Sequence, residues 1–124
     1  MSRPRRPYDG VVLTAPVSVP YERYSVDTAH WWIARALRGL LDAANLTPLD
    51  LDGFSVASFT LFPDTAVGLT QHLGLSPRWL DSIPMGGASG VVALRRAARA
   101  VQAGDADIVA CVAGDTNHID SFRS

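Results

Sequence analysis

The sequence contains no lysine, because all 11 of its basic residues are arginines. Without a lysine amine, this chain cannot anchor pyridoxal phosphate or form a Schiff base with a carbonyl substrate. Its one cysteine, Cys111, cannot form a disulfide within the chain, which predicts a reducing, cytoplasmic location. The sequence also lacks an apolar run of about 18 residues and a signal-peptide pattern, so neither a membrane span nor secretion is expected.

The charges are nearly balanced, with a formal net charge of −1. This balance argues against a nucleic-acid partner, because proteins of that class usually carry a basic face. The local basic cluster is Arg3, Arg5 and Arg6, and we predict that residues 1–9 form a flexible, solvated lead. Residues 10–124 are predicted to form one α/β segment. No cluster of His, Cys and Asp has metal-ligand spacing, so no metal is expected.

Strand-like and helix-like segments alternate along the chain. The continuous apolar run Gly10–Pro16 predicts a strand buried on both faces. The next helix, capped by Ser25 or Asp27, is predicted to extend to Leu46, with Asn45 in a left-handed conformation. The later patterns predict strands over 54–59, 79–85 and 108–113, and helices over 65–73 and 88–103. Such alternation is typical of a layered α/β domain.

A glycine-rich turn, Gly86–Gly90, joins the strand predicted for 79–85 to the following helix. The first N–H groups of a helix have no partner within it, so such a turn can bind an anion. The turn does not contain the dinucleotide or phosphate-loop patterns, and its glycines can equally serve close packing of the helix on the sheet. The spacing places apolar residues of the helix on one face and its arginines elsewhere. That apolar face comprises Val91, Leu94, Ala98 and Val101.

Three side chains near these elements carry reactive groups. Ser89 does not have the flanking pattern of a nucleophile elbow, and a helix-capping role explains it better. Cys111 lies inside an apolar strand and is predicted to be a buried, inert thiol. His118 follows the last strand at its carboxyl end, where sites of open α/β sheets lie, and is a candidate catalytic residue.

Two groups of residues together resemble a known family. The first is the acidic turn Leu-Asp-Leu-Asp-Gly-Phe at 49–54, after the long helix. The second is Gly87-Ala88-Ser89-Gly90, an apolar helix, Ala-Gly-Asp-Ala-Asp at 103–107, and a strand that ends at Gly114. From about Gly10 to Asp115, the sequence resembles the N-terminal part of the thiolase superfamily. The resemblance implies a layered α/β/α fold with a mixed sheet, of which this chain provides the N-terminal half.

The chain departs from the thiolase pattern at the residue that carries the family's chemistry. In degradative and biosynthetic thiolases the first position of the turn is the acylated cysteine, and here it is Gly87. The resemblance implies that the backbone amide of Gly87 still stabilises an oxyanion or enolate. Thiolase-like proteins in which this cysteine is replaced include steroid side-chain aldolases of the lipid-transfer-protein type. They cleave β-hydroxyacyl-CoA substrates and work with an OB-fold, acyl-CoA-associated partner.

The resemblance therefore implies an N-terminal segment of a cysteine-less enzyme of lipid metabolism. Its substrate would be an acyl-CoA, with coenzyme A entering as part of that substrate, and its reaction would be carbon–carbon bond cleavage or formation. This chain alone is expected to be inactive, with the missing half supplied by a homodimer or a partner chain. Two alternatives remain open at this point. The chain could be an ordinary thiolase-type acyltransferase, or a non-catalytic interaction and dimerisation subunit.

Overall fold

The computed structural model describes residues 7–20, 27–58, 66–83 and 88–115. Three helices and three strands alternate in these ranges, and none of these helices is long and apolar enough to cross a membrane. The elements are α1 (Ala29–Ala44), a short 3-10 helix (Pro48–Asp50), β1 (Gly53–Ala57), α2 (Ala66–Leu73), β2 (Trp79–Ser82), α3 (Ser89–Ala103) and β3 (Val109–Ala113).

The three strands form a parallel sheet in the order β2-β1-β3. The register places Ser55 of β1 opposite Asp81 of β2 on one side and Cys111 of β3 on the other. All five residues of the central strand β1 are buried. Because the strands are parallel, their carboxyl ends meet at one edge of the sheet, where sites of such folds lie.

Helices cover both faces of the sheet. Successive strand side chains point to opposite faces, and Phe54 and Val56 join a core cluster with the buried residues of α1 and α2. On the other face, the Sγ atom of Cys111 lies 3.9 Å from the backbone oxygen of Ala93 in α3. The predicted α/β/α layering is therefore confirmed, and the part of the sheet that the structure describes is parallel throughout.

All three helices end in a left-handed residue. Asn45 has φ 58°, Gly74 has φ 70° and Gly104 has φ 81°, and the next residue donates its N–H to a carbonyl in the last turn. Such endings satisfy carbonyl groups that a helix leaves unpaired, and glycine or asparagine adopts them at low cost. The left-handed Asn45 was predicted correctly. The predicted start of α1 is wrong, because its N-cap is Thr28 rather than Ser25 or Asp27.

The strand predicted for Gly10–Pro16 is not formed. The stretch 11–20 has no regular secondary structure, contains a left-handed residue, Ala15 (φ 51°), and contributes no strand to the sheet. Within it, Val12 is 82% exposed and Leu13 is 73% exposed, so the apolar run is not buried on either face. A continuous apolar run predicts burial, but it does not identify the neighbouring strand that would provide the burial. We refer to residues 7–17 as the N-terminal strap.

The apolar face predicted for α3 is not the face that packs on the sheet. Ser89 and three alanines, Ala93, Ala97 and Ala100, are the buried residues of this helix. In contrast, Val91 is 73% exposed and Leu94 is 41% exposed. Both sets of residues recur at helical spacing, so spacing alone cannot show which set packs on the sheet. Small alanine side chains let the helix axis approach the strands closely, whereas the larger side chains of Val91 and Leu94 lie on the exposed side of the helix.

Asp52 connects the three strands at the amino edge of the sheet. Its carboxylate accepts hydrogen bonds from the backbone N–H groups of Asp107 (2.8 Å) and Ile108 (2.7 Å), just before β3. It also accepts one from the guanidinium of Arg78, just before β2, at 2.7 Å. Partial burial raises the pKa of Asp52, but the hydrogen bonds from Arg78 and from the two amides outweigh it and lower the pKa to about 2. This residue therefore holds the starts of the strands together at the amino edge of the sheet.

Candidate functional site

The carboxyl ends of the three strands are held level by backbone hydrogen bonds. The N–H of Gly114, just after β3, donates to the carbonyl of Ala57 at 3.1 Å. On the other side of β1, the N–H of Ile83 donates to the carbonyl of Val56 at 2.9 Å. The residues that follow β1, β2 and β3 consequently emerge side by side. This edge is the candidate functional site.

A hydroxyl and a carboxylate meet at this edge. The Oγ of Ser58, directly after β1, donates a hydrogen bond to Oδ1 of Asp115 at 2.8 Å. Ser58 is half-buried and Asp115 is exposed. The pair spans 57 residues of sequence and forms only because β1 and β3 are adjacent and in register. Ser58 was not among the predicted site residues; the signal available was a polar residue within two positions after each of two apolar strands.

The amino end of α3 opens toward the same edge. Its N-cap is Ala88, which makes no side-chain capping hydrogen bond, and Ser89 follows as a buried residue. Among the described residues, apart from the neighbours of Gly90 and the backbone of α3 itself, no atom lies within 4 Å of the position that a Cβ on Gly90 would occupy. Close packing therefore does not explain this glycine, and there is open space beside the first turn of α3. The two predicted site residues, Gly87 and His118, lie outside the described residues.

The thiol of Cys111 does not belong to this edge. It lies in β3 on the face covered by α3, two residues before the end of the strand. Burial, with a smaller contribution from the charge of Asp81, raises the pKa of Cys111 to about 11. The thiol is therefore protonated at neutral pH, and a neutral thiol is a poor nucleophile. Cys111 is partly buried rather than fully buried as predicted, and its raised pKa is consistent with low reactivity.

Gly114 lets α1 contact the carboxyl end of β3. A Cβ added to Gly114 would lie 3.1 Å from Cγ1 of Ile33 and 3.8 Å from the backbone nitrogen of the same residue. Ile33 is fully buried in α1 and has little room to move. Glycine is therefore required here by the close approach of a helix, which brings the start of α1 to the candidate site.

We expect Gly114→Ala to lower the free energy of unfolding by about 1–2 kcal/mol, because the methyl group overpacks against Ile33. The control is Gly90→Ala, where space is open and loss of a helical glycine is expected to add about 0.5–1 kcal/mol. Urea denaturation of both variants measures the two changes. A Gly114→Ala protein as stable as the parent would contradict the close contact.

Metal coordination has no support in the described ranges, which contain no group of three His, Cys, Asp or Glu side chains able to hold a metal ion. The polar groups at the carboxyl edge are instead the Ser58–Asp115 pair and the helix start at Ala88. Such groups can donate and accept hydrogen bonds around a reacting oxygen. The N–H groups at the amino end of α3 are suited to stabilising negative charge on an oxygen, whereas the carboxylate of Asp115 accepts hydrogen bonds and would repel such a charge.

No protein-family model matches the sequence, and no curated protein matches it. Solved structures do match the fold. A 3-oxoacyl-[acyl-carrier-protein] synthase III from Aquifex aeolicus VF5 has a TM-score of 0.64 and 25% identity over 72% of this chain and 30% of its own. AbyA1, a tetronic acid condensing enzyme, has a TM-score of 0.60 and 28% identity over 77% of this chain and 31% of its own.

A third structure, an Ltp2–ChsH2(DUF35) aldolase, has a TM-score of 0.57 and 23% identity over 68% of this chain and 22% of its own. The matched region thus spans less than a third of the length of these proteins. All three neighbours are thiolase-like. The chain therefore has a thiolase-like α/β fold.

Proposed function

We propose that this chain is the N-terminal segment of a thiolase-like enzyme that makes or breaks a carbon–carbon bond of an acyl-CoA without forming an acyl-enzyme. The observation that carries the proposal is Gly87, which stands where the resemblance places the family's acylated cysteine and directly precedes the N-cap of α3. Cys111, the one cysteine of the sequence, is covered by α3 and has a pKa of about 11. The thiolase-like neighbours include an aldolase and two synthase or condensing enzymes, which supports carbon–carbon bond chemistry.

In the retro-aldol direction, a base takes the proton of a β-hydroxyl group, and the bond between the α and β carbons breaks. The electron pair moves onto the thioester as an enolate, while the β carbon becomes a carbonyl. The amide of Gly87, which directly precedes the N-cap Ala88 of α3, would donate to the enolate oxygen. A proton delivered to the α carbon completes the shortened acyl-CoA.

The remaining acid and base groups would come from another segment or subunit. Ser58 and Asp115 stand at the same edge as the start of α3, and their hydrogen bond orients the carboxylate. His118 stays a candidate for proton transfer, because it follows Asp115 by three residues. The OB-fold type of partner and a homodimer are both compatible with this division of the site.

Two measurements test the proposal. Isothermal titration calorimetry of the chain, combined with the polypeptide that completes its fold, should detect binding of an acyl-CoA. Intact mass spectrometry after incubation with the same acyl-CoA should detect no covalent adduct. An acyl adduct on the parent protein would favour an ordinary acyltransferase, and an assembled protein that binds no acyl-CoA would overturn the proposal.

A second candidate is a non-catalytic interaction subunit with the same fold. It is favoured by the exposed apolar side chains Val91 (73%) and Trp31 (42%). Trp31 packs edge-to-face on Trp32 with a centroid distance of 4.8 Å, so part of its ring has a partner while the rest is exposed. Surface tryptophans are common at protein interfaces. Light scattering that detects only a monomer, with or without the other polypeptide, would contradict this candidate.

A further inference from the structure

We draw no further inference here: the strongest candidate, the groove between β2 and α3 that Arg95, Arg96 and Arg99 line, carries none because Arg96 is already paired with Asp81, Arg99 donates to Pro7 of the N-terminal strap, and nothing in the described part of the chain shows what covers the groove.

Discussion

Gly87→Cys is expected to convert the turn before α3 into a reactive nucleophile. The introduced thiol would directly precede Ala88, the N-cap of α3. Helix N-termini lower cysteine pKa values, in known cases to about 3.5–7.5, because amides and the helix dipole stabilise the thiolate. The pKa of Cys111 is about 11. We therefore expect iodoacetamide at pH 7 to alkylate the new thiol at least about a thousand times faster than Cys111.

The same variant should react with acetyl-CoA. The thiolate attacks the thioester carbonyl, the bond to the coenzyme A sulfur breaks, and the protein gains one acetyl group while coenzyme A leaves as its thiolate. Intact mass spectrometry reports the acetyl group, and the parent protein should show none. This result would indicate that the turn retains the architecture of an acyl-transfer site and lacks only its nucleophile.

The matched control is Ala103→Cys, at the opposite end of the same helix. Ala103 is exposed, and the helix dipole there raises a thiol pKa rather than lowering it. Its alkylation at pH 7 should therefore be slow. Equal alkylation rates for the two variants, with thermal unfolding midpoints unchanged, would contradict a role for the backbone amides of this turn. The proposed enolate stabilisation by Gly87 would then lose its physical basis.

Local chemistry in the sequence was sufficient to predict the main elements. The three helices end at the predicted residues, Asn45, Gly74 and Gly104, all of which have a positive φ. These ends were predictable because each depends on only a few neighbouring residues. Three of the four predicted strands exist, and their ends differ from the predicted ones by up to three residues. A short-range pattern is enough wherever a short-range interaction decides the structure.

Long-range arrangement could not be predicted in the same way. The Ser58–Asp115 hydrogen bond requires β1 and β3 to be adjacent in the sheet. Local sequence patterns do not predict the strand order. The apolar composition of Gly10–Pro16 predicts a strand. Whether this segment forms one depends on which strand of the sheet lies beside it. Both sets of α3 residues, the predicted apolar face and the buried alanine face, have helical spacing, and the small alanines are the ones that pack on the sheet. In each case the sequence pattern does not show which surfaces of distant elements contact each other.

Asp52→Asn is expected to destabilise the fold by about 2–3 kcal/mol at pH 7, since a charged acceptor with several donors is replaced by a neutral amide. The asparagine NH₂ group would also oppose the amide donors of Asp107 and Ile108. The control is Asp107→Asn, whose carboxylate lies 3.7 Å from Arg78 with an 86% exposed side chain. An exposed pair of this kind contributes about 0–1 kcal/mol, so that variant should unfold almost as the parent does.

The loss of unfolding free energy caused by Asp52→Asn should decrease as the pH is lowered. The folded-state pKa of Asp52 is lowered from 3.8 to about 2, so the folded state binds the proton more weakly than the unfolded chain. The stabilisation by its carboxylate is therefore complete above about pH 5 and disappears as the pH falls through 4 toward 2. Urea denaturation at pH 7, 4 and 2.5 should give a difference in unfolding free energy between parent and variant that becomes smaller at each lower pH. A gap that stays constant over this range would mean that Asp52 acts through packing, and that its charge does not hold the strand ends together.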